Sequence, residues 1–193
     1  MLNSKELKKY VRGLVLHWTA GNYSQTFDHY HYCITYDGKL AHVKETLPIN
    51  QVGSHIYHRN TGLIGISMCG MVDIHHEIQD HQIEVTAKLV AELCYLFDWT
   101  VDDTYQAVYY NLVNGQLVNS GDYIKAPVVA DHYYYAHIDH YPNDRWDIGD
   151  PTGKIKFNGK VIDLLSPIKR KAKWYLDQLK TGKQKREFTL SIT

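Results

Sequence analysis

A chain of 193 residues, 44% hydrophobic and 22% charged, is long enough to bury one core and fits a single domain with at most a short appendage. Lys+Arg and Asp+Glu number 21 each, so no net charge draws it toward nucleic acid or a membrane surface. No window approaches the ~18 apolar residues of a membrane span, and "MLNSKELKKYVRG" at the N-terminus lacks the apolar run of a secretory leader, so the expected location is the cytoplasm of a host or bacterium.

"GLVLHW", Gly13 to Trp18, reads as a buried strand. "YHYCITYDGKLAHV" reads as a hairpin, because Asp37-Gly38 between two apolar runs tolerates the positive φ of a tight turn. "GLIGISMCGM" reads as a further buried strand. The period then changes: Ile83, Ala87, Val90, Cys94 and Phe97 predict a helix over 81–97, with Glu84 and Lys88 spaced for an ion pair along it. A second helix is predicted over 103–114, closed by Asn114-Gly115. "APVVAD" is a short strand, "HYYYAHIDHYPNDRWDIGD" a long loop and "TGKIKFNGKV" a small hairpin. Ser166-Pro167 supplies an N-cap and first position for a helix burying Ile168, Ala172, Tyr175, Leu176 and Leu179.

The implied fold class is α/β: one domain with a central mixed β-sheet flanked by helices on both faces. Residues 168–193 carry a net charge of +6 and residues 1–167 a net of −6. The division is therefore a catalytic or binding body, 1–167, and a basic C-terminal helix and tail, 168–193, packed on the same domain. That tail offers electrostatic contact with an anionic cell envelope. Cys33, Cys69 and Cys94 lie in apolar runs without paired spacing and read as buried free thiols.

Three polar residues stand where strand ends meet loops: His17, His132 after "VVAD", and Asp147 in "DRWDIGD". Strand ends are where open α/β sheets place their sites. Two imidazoles and a carboxylate, with a fourth position for water, suit a catalytic zinc ion, which acidifies water and polarises a carbonyl. On spacing alone, His17 is equally a core histidine. His137 and His140 rival His132, Asp144 and Asp150 rival Asp147, and no HExxH or CxxC decides. His29, His31 and His42 read as solvated or structural, and Ser67 as a small strand residue, since no GxSxG turn surrounds it.

Four segments in order, "LHWTAG", "YHYCITYDGKL", "VGSHIYHRNTGLIGISMCGM" and "VVADHYYYAHIDHYPNDRWDIGD", resemble the zinc-dependent N-acetylmuramoyl-L-alanine amidases of type 2. That family includes phage endolysins and is similar in fold to peptidoglycan recognition proteins; the likeness covers roughly residues 12–150 and is nearest to phage or prophage members with an "RWD" motif. The resemblance implies one zinc ion held by His17, His132 and Asp147. It implies a catalytic Tyr30, and Arg145 stabilising the oxyanion where the family usually has Lys. Arginine keeps the cation but does not act as a general acid, since its pKa stays above ~12. Ser67 stands where some members carry Glu, which shifts weight to Tyr30. Trp18, His55, Arg59 and Asn60 fall on groove segments and are expected to contact substrate, Arg59 by pairing with a stem-peptide carboxylate. The implied partner is peptidoglycan, and the implied activity is hydrolysis of the amide between N-acetylmuramic acid and L-alanine during host lysis. The alternatives are a non-catalytic peptidoglycan-binding module and a recycling amidase acting on soluble muropeptides.

Overall fold

The computed structural model describes residues 4–71, 75–140, 156–157 and 160–190. In chain order the elements are α1 (Ser4–Tyr10), β1 (Gly13–Trp18), β2 (Tyr32–Tyr36), β3 (Ala41–Glu45), β4 (Leu63–Met68), α2 (Asp80–Phe97), β5 (Thr104–Val113), β6 (Gln116–Pro127), β7 (Val129–Asp131), α3 (His132–Ile138), β8 (Lys156–Phe157), β9 (Lys160–Val161) and α4 (Leu165–Lys180). Five strands form one sheet in the order β3-β2-β4-β1-β7. The neighbours β2, β4, β1 and β7 run parallel, and β3 is antiparallel to β2.

Every residue of β1 and β4 is buried, so both faces of the sheet are covered. Side chains alternate between those faces. Leu14, Leu16, Trp18, Ile64, Ile66 and Met68 join the larger core with Leu89, Val90 and Leu93 of α2 and Ile168, Ala172 and Leu176 of α4. Val15 and Leu63 face the other way, into a smaller core with Ile56, Ala107, Ala126, Ala130 and Tyr135. His17 is on the Val15 side by the same alternation.

The segment expected as a second helix is instead β5, paired antiparallel with β6. Asn114 and Gly115 have φ of 51° and 78° and form the turn between them. Two successive positive φ values suit a tight hairpin turn and its Asn-Gly sequence, and "TYQAVYYNLV" is rich in residues that favour strands. The β5–β6 hairpin, the β3–β4 connection and the seven-residue α3 cover the second face. The two long helices share one face and the short α3 lies on the other, so helices flank both faces as expected, with the hairpin in place of a second long helix on the second face. The start of the long loop expected after "VVAD" is also helical. Asp131 caps α3 by accepting from the Tyr134 N–H at 2.8 Å.

Helix α2 is anchored by one polar side chain. Gln82 is fully buried; its Nε2 donates to the carbonyls of Ile34 (3.0 Å) and Cys69 (2.7 Å), and its Oε1 accepts from Gln79 N at 3.0 Å. Replacing Gln82 by leucine takes this partner from the Cys69 carbonyl and the Gln79 N–H, at ~1–3 kcal/mol for each such group when buried, while the Ile34 carbonyl keeps the Cys69 N–H at 2.8 Å. Urea denaturation of Gln82→Leu is expected to show a loss of about 2 kcal/mol or more.

The expected Glu84–Lys88 pair does not form. Glu84 accepts from Lys171 and Tyr175 of α4, while Lys88 pairs with Glu187 at 2.8 Å. These contacts tie α2 to α4 and the segment after it. Helix α4 begins one residue ahead of the expected Ser166 cap, and the Asp163 carboxylate takes the Ser166 N–H at 2.9 Å. Its basic face is partly neutralised within the chain, as Lys173 meets Asp102 at 2.7 Å. The three cysteines are free and buried. Among the described residues no helix is long and apolar enough to cross a membrane.

Candidate active site

The site forms where β1 and β7 end. His17, the fifth residue of β1, is fully buried. His132 follows β7 directly and opens α3. Because β1 and β7 are parallel neighbours, both histidines arrive at the same edge of the sheet, and their ring centroids lie 5.0 Å apart at 65°. Tyr30, just before β2, brings its ring to 5.1 Å from that of His17. His55, from the β3–β4 connection, closes the group: its Nδ1 is 3.1 Å from His17 Nε2. Ser67 is the register partner of His17 on β4. It is fully buried, and its hydroxyl has no hydrogen-bond partner among the described residues.

His31 extends the row of imidazoles, 5.9 Å from His55. It accepts from the Gly65 N–H at Nδ1 (3.0 Å), and its Nε2 donates to the Gln51 carbonyl at 3.0 Å. Burial holds His31 below its usual pKa. His55 is held well below, by burial first and then by the neighbouring His17 and His31. Both shifts favour the neutral rings. Burial also pushes the Asp131 carboxyl up to about 7.

Of the three candidate histidines after β7, His132 packs on His17. His137 is exposed and stacks on Tyr133, and His140 is exposed. Arg145 and Asp147, with the rival carboxylates Asp144 and Asp150, lie outside the described residues. Among the described residues, no three His, Cys, Asp or Glu side chains are grouped to hold a metal ion. The paired imidazoles of His17 and His132, beside an orphaned buried hydroxyl, are nonetheless a nitrogen donor set that fits zinc once a third ligand joins them.

The four residues expected to contact substrate are placed differently. Trp18 is buried against the helices, on the opposite face from His17, because adjacent strand residues point opposite ways. His55 is buried beneath His17. The Arg59 guanidinium is buried and closed on Asp139, with Nε to Oδ2 at 2.6 Å and Nη2 to Oδ1 at 2.5 Å, so its fork is already taken by a carboxylate of this chain. Asn60 folds its own loop, its Oδ1 accepting from the backbone N–H groups of His55 and Ile56, each at 2.8 Å. Sequence reasoning gave Asp139 no role of its own and treated His31 only as solvated or structural. The glycines Gly53 and Gly65 around His55 were the signal available, since each marks a close approach.

Fold and site together describe a mixed α/β protein with its imidazole cluster at the C-terminal ends of parallel strands, the usual place for an active site in an open sheet. The sequence profile of the N-acetylmuramoyl-L-alanine amidase family matches residues 7–149, and the chain belongs to that family, placing it among the hydrolases that act as peptidoglycan amidases. Its fold is similar to that of the Staphylococcus aureus hydrolase AmiA, solved in complex with its ligand, with a TM-score of 0.52 at 17% identity over 94% of this chain and 80% of that one. No curated protein sequence matches the chain.

Proposed function

We propose that the protein is a zinc-dependent amidase that cleaves the bond between N-acetylmuramic acid and L-alanine in peptidoglycan, in the lysis of a host by a phage or prophage. The observation that carries this reading is the meeting of His17 and His132 at one sheet edge, with Tyr30 against His17. In it, His17, His132 and Asp147 hold the ion. A zinc ion there supplies Lewis acidity, polarising the scissile carbonyl and acidifying water. In this reading Tyr30, half-buried with its ring against that of His17, orients the attacking water and passes a proton toward the leaving amine. Arg145 supplies a permanent cation for the oxyanion. The lysis role draws on the "DRWDIGD" segment, which resembles that of phage and prophage members.

The test treats purified sacculi and soluble anhydro-muropeptide with the protein and identifies the ends produced. New L-alanine amino termini from sacculi, lost on chelation and restored by zinc, are the expected result. Cleavage of glycan or cross-link bonds, or full activity after exhaustive chelation, overturns the reading. A strong preference for soluble muropeptide replaces lysis with recycling.

A further inference from the structure

The contact between His17 and His55 has a direction. The Leu63 carbonyl can only accept, so His55 Nε2, 3.3 Å from it, carries the proton of that neutral ring. His55 Nδ1 is then an acceptor, and His17 Nε2, 3.1 Å away, must be the donor. A neutral imidazole has one N–H, so this leaves the lone pair of His17 on Nδ1. We infer that His55 is a positioning residue which, by accepting the Nε2 proton of His17, fixes that ring's tautomer and presents Nδ1 to the metal. This rests on the zinc reading above.

The surroundings are built to hold His55 in that role. A Cβ on Gly65 would stand 2.8 Å from the His55 ring, and one on Gly53 would stand 2.9 Å from it. Both strand and loop backbone thus come close enough to clamp the imidazole, which only glycine permits. His31 closes a further side, and its own orientation is set by two backbone groups. Asn60 holds the backbone of His55 itself. The hydrogen-bond chain His17 to His55 to Leu63 ends on sheet backbone, the most rigid acceptor available. Such an outer partner is common behind metal-ligating histidines, and its loss typically weakens metal binding ~10–100-fold.

The test uses the full chain and two variants. His55→Phe fills the slot without an acceptor, whereas His55→Gln keeps a carbonyl oxygen. Zinc affinity is read by competition with a chromogenic chelator. The His17 tautomer is read from ring ¹⁵N shifts in the metal-free protein. The expected result is a wild-type His17 protonated on Nε2, zinc binding weakened ~10–100-fold in His55→Phe, and binding within a few-fold of wild type in His55→Gln. Unchanged zinc affinity in His55→Phe overturns the inference, as does a wild-type His17 protonated on Nδ1. If His55→Phe does not fold, the wild-type tautomer and the glutamine variant still decide. A wild type that binds no zinc sinks the zinc reading itself and is distinguishable from a wild type that binds zinc irrespective of His55.

Discussion

Substituting His17 by alanine is expected to abolish zinc binding and to lower release of L-alanine amino termini from sacculi by ~10³-fold or more, a scale set by what removing electrostatic stabilisation costs in enzymes. His17 is the point on which His55, His132 and Tyr30 converge, so no neighbour replaces it. His132→Ala is expected to give a loss of the same size, and the double variant little more, because ligands of one ion act as a unit. Metal content of the purified variants and amine release measured on the same samples check this together. Circular dichroism shows whether the fold persists, since the substitution also opens space in a buried strand. A folded His17→Ala protein that keeps both zinc and activity removes His17 from the site.

Much of this arrangement was legible in the sequence because it depends on local period and turn chemistry. The apolar run of β1, the Asp37-Gly38 hairpin and the 3.6-residue spacing of α2 each place one element without knowledge of the others. The misreadings have physical causes. Asn114-Gly115 serves equally as a helix stop and as a hairpin turn, and the aromatic, β-branched "TYQAVYYNLV" before it decides for the hairpin. Trp18 was assigned to substrate because it adjoins His17, yet strand alternation alone sends it to the opposite face. His55, Arg59 and Asn60 share one loop, and their adjacency suggested a groove. Asn60 is fixed within the loop, but what fixes the other two is distant in sequence: a strand-end histidine 38 residues away for His55 and an aspartate 80 residues away for Arg59. Pairing at such range has no signature in one sequence.

That last pair carries the largest expected stability effect. Arg59 and Asp139 have side chains only 5% and 3% exposed, and the guanidinium lies over the rings of Tyr110 at 4.8 Å and Tyr135 at 5.4 Å. Burial works against the Arg59 charge, but the hydrogen bonds and charge of Asp139 outweigh it and raise its pKa. Asp139→Ala removes that compensation and leaves a buried cation unpaired, at a cost of about 3–5 kcal/mol. For a chain of this length, ~2–4 °C per kcal/mol gives a thermal midpoint lower by roughly 6–20 °C. Replacing both partners, as Arg59→Met with Asp139→Leu, removes the charge as well as its partner and is expected to recover most of the loss. A single variant as stable as wild type shows instead that water reaches the guanidinium. The pair also bears on the site. Arg59 lies in the loop that carries His55, Asp139 directly follows the helix that begins with His132, and Tyr110 belongs to β5. The bidentate bond therefore joins the segment behind His17 to the segment beside it. At temperatures where Asp139→Ala is still folded, its zinc affinity is expected to fall further than that of the double variant.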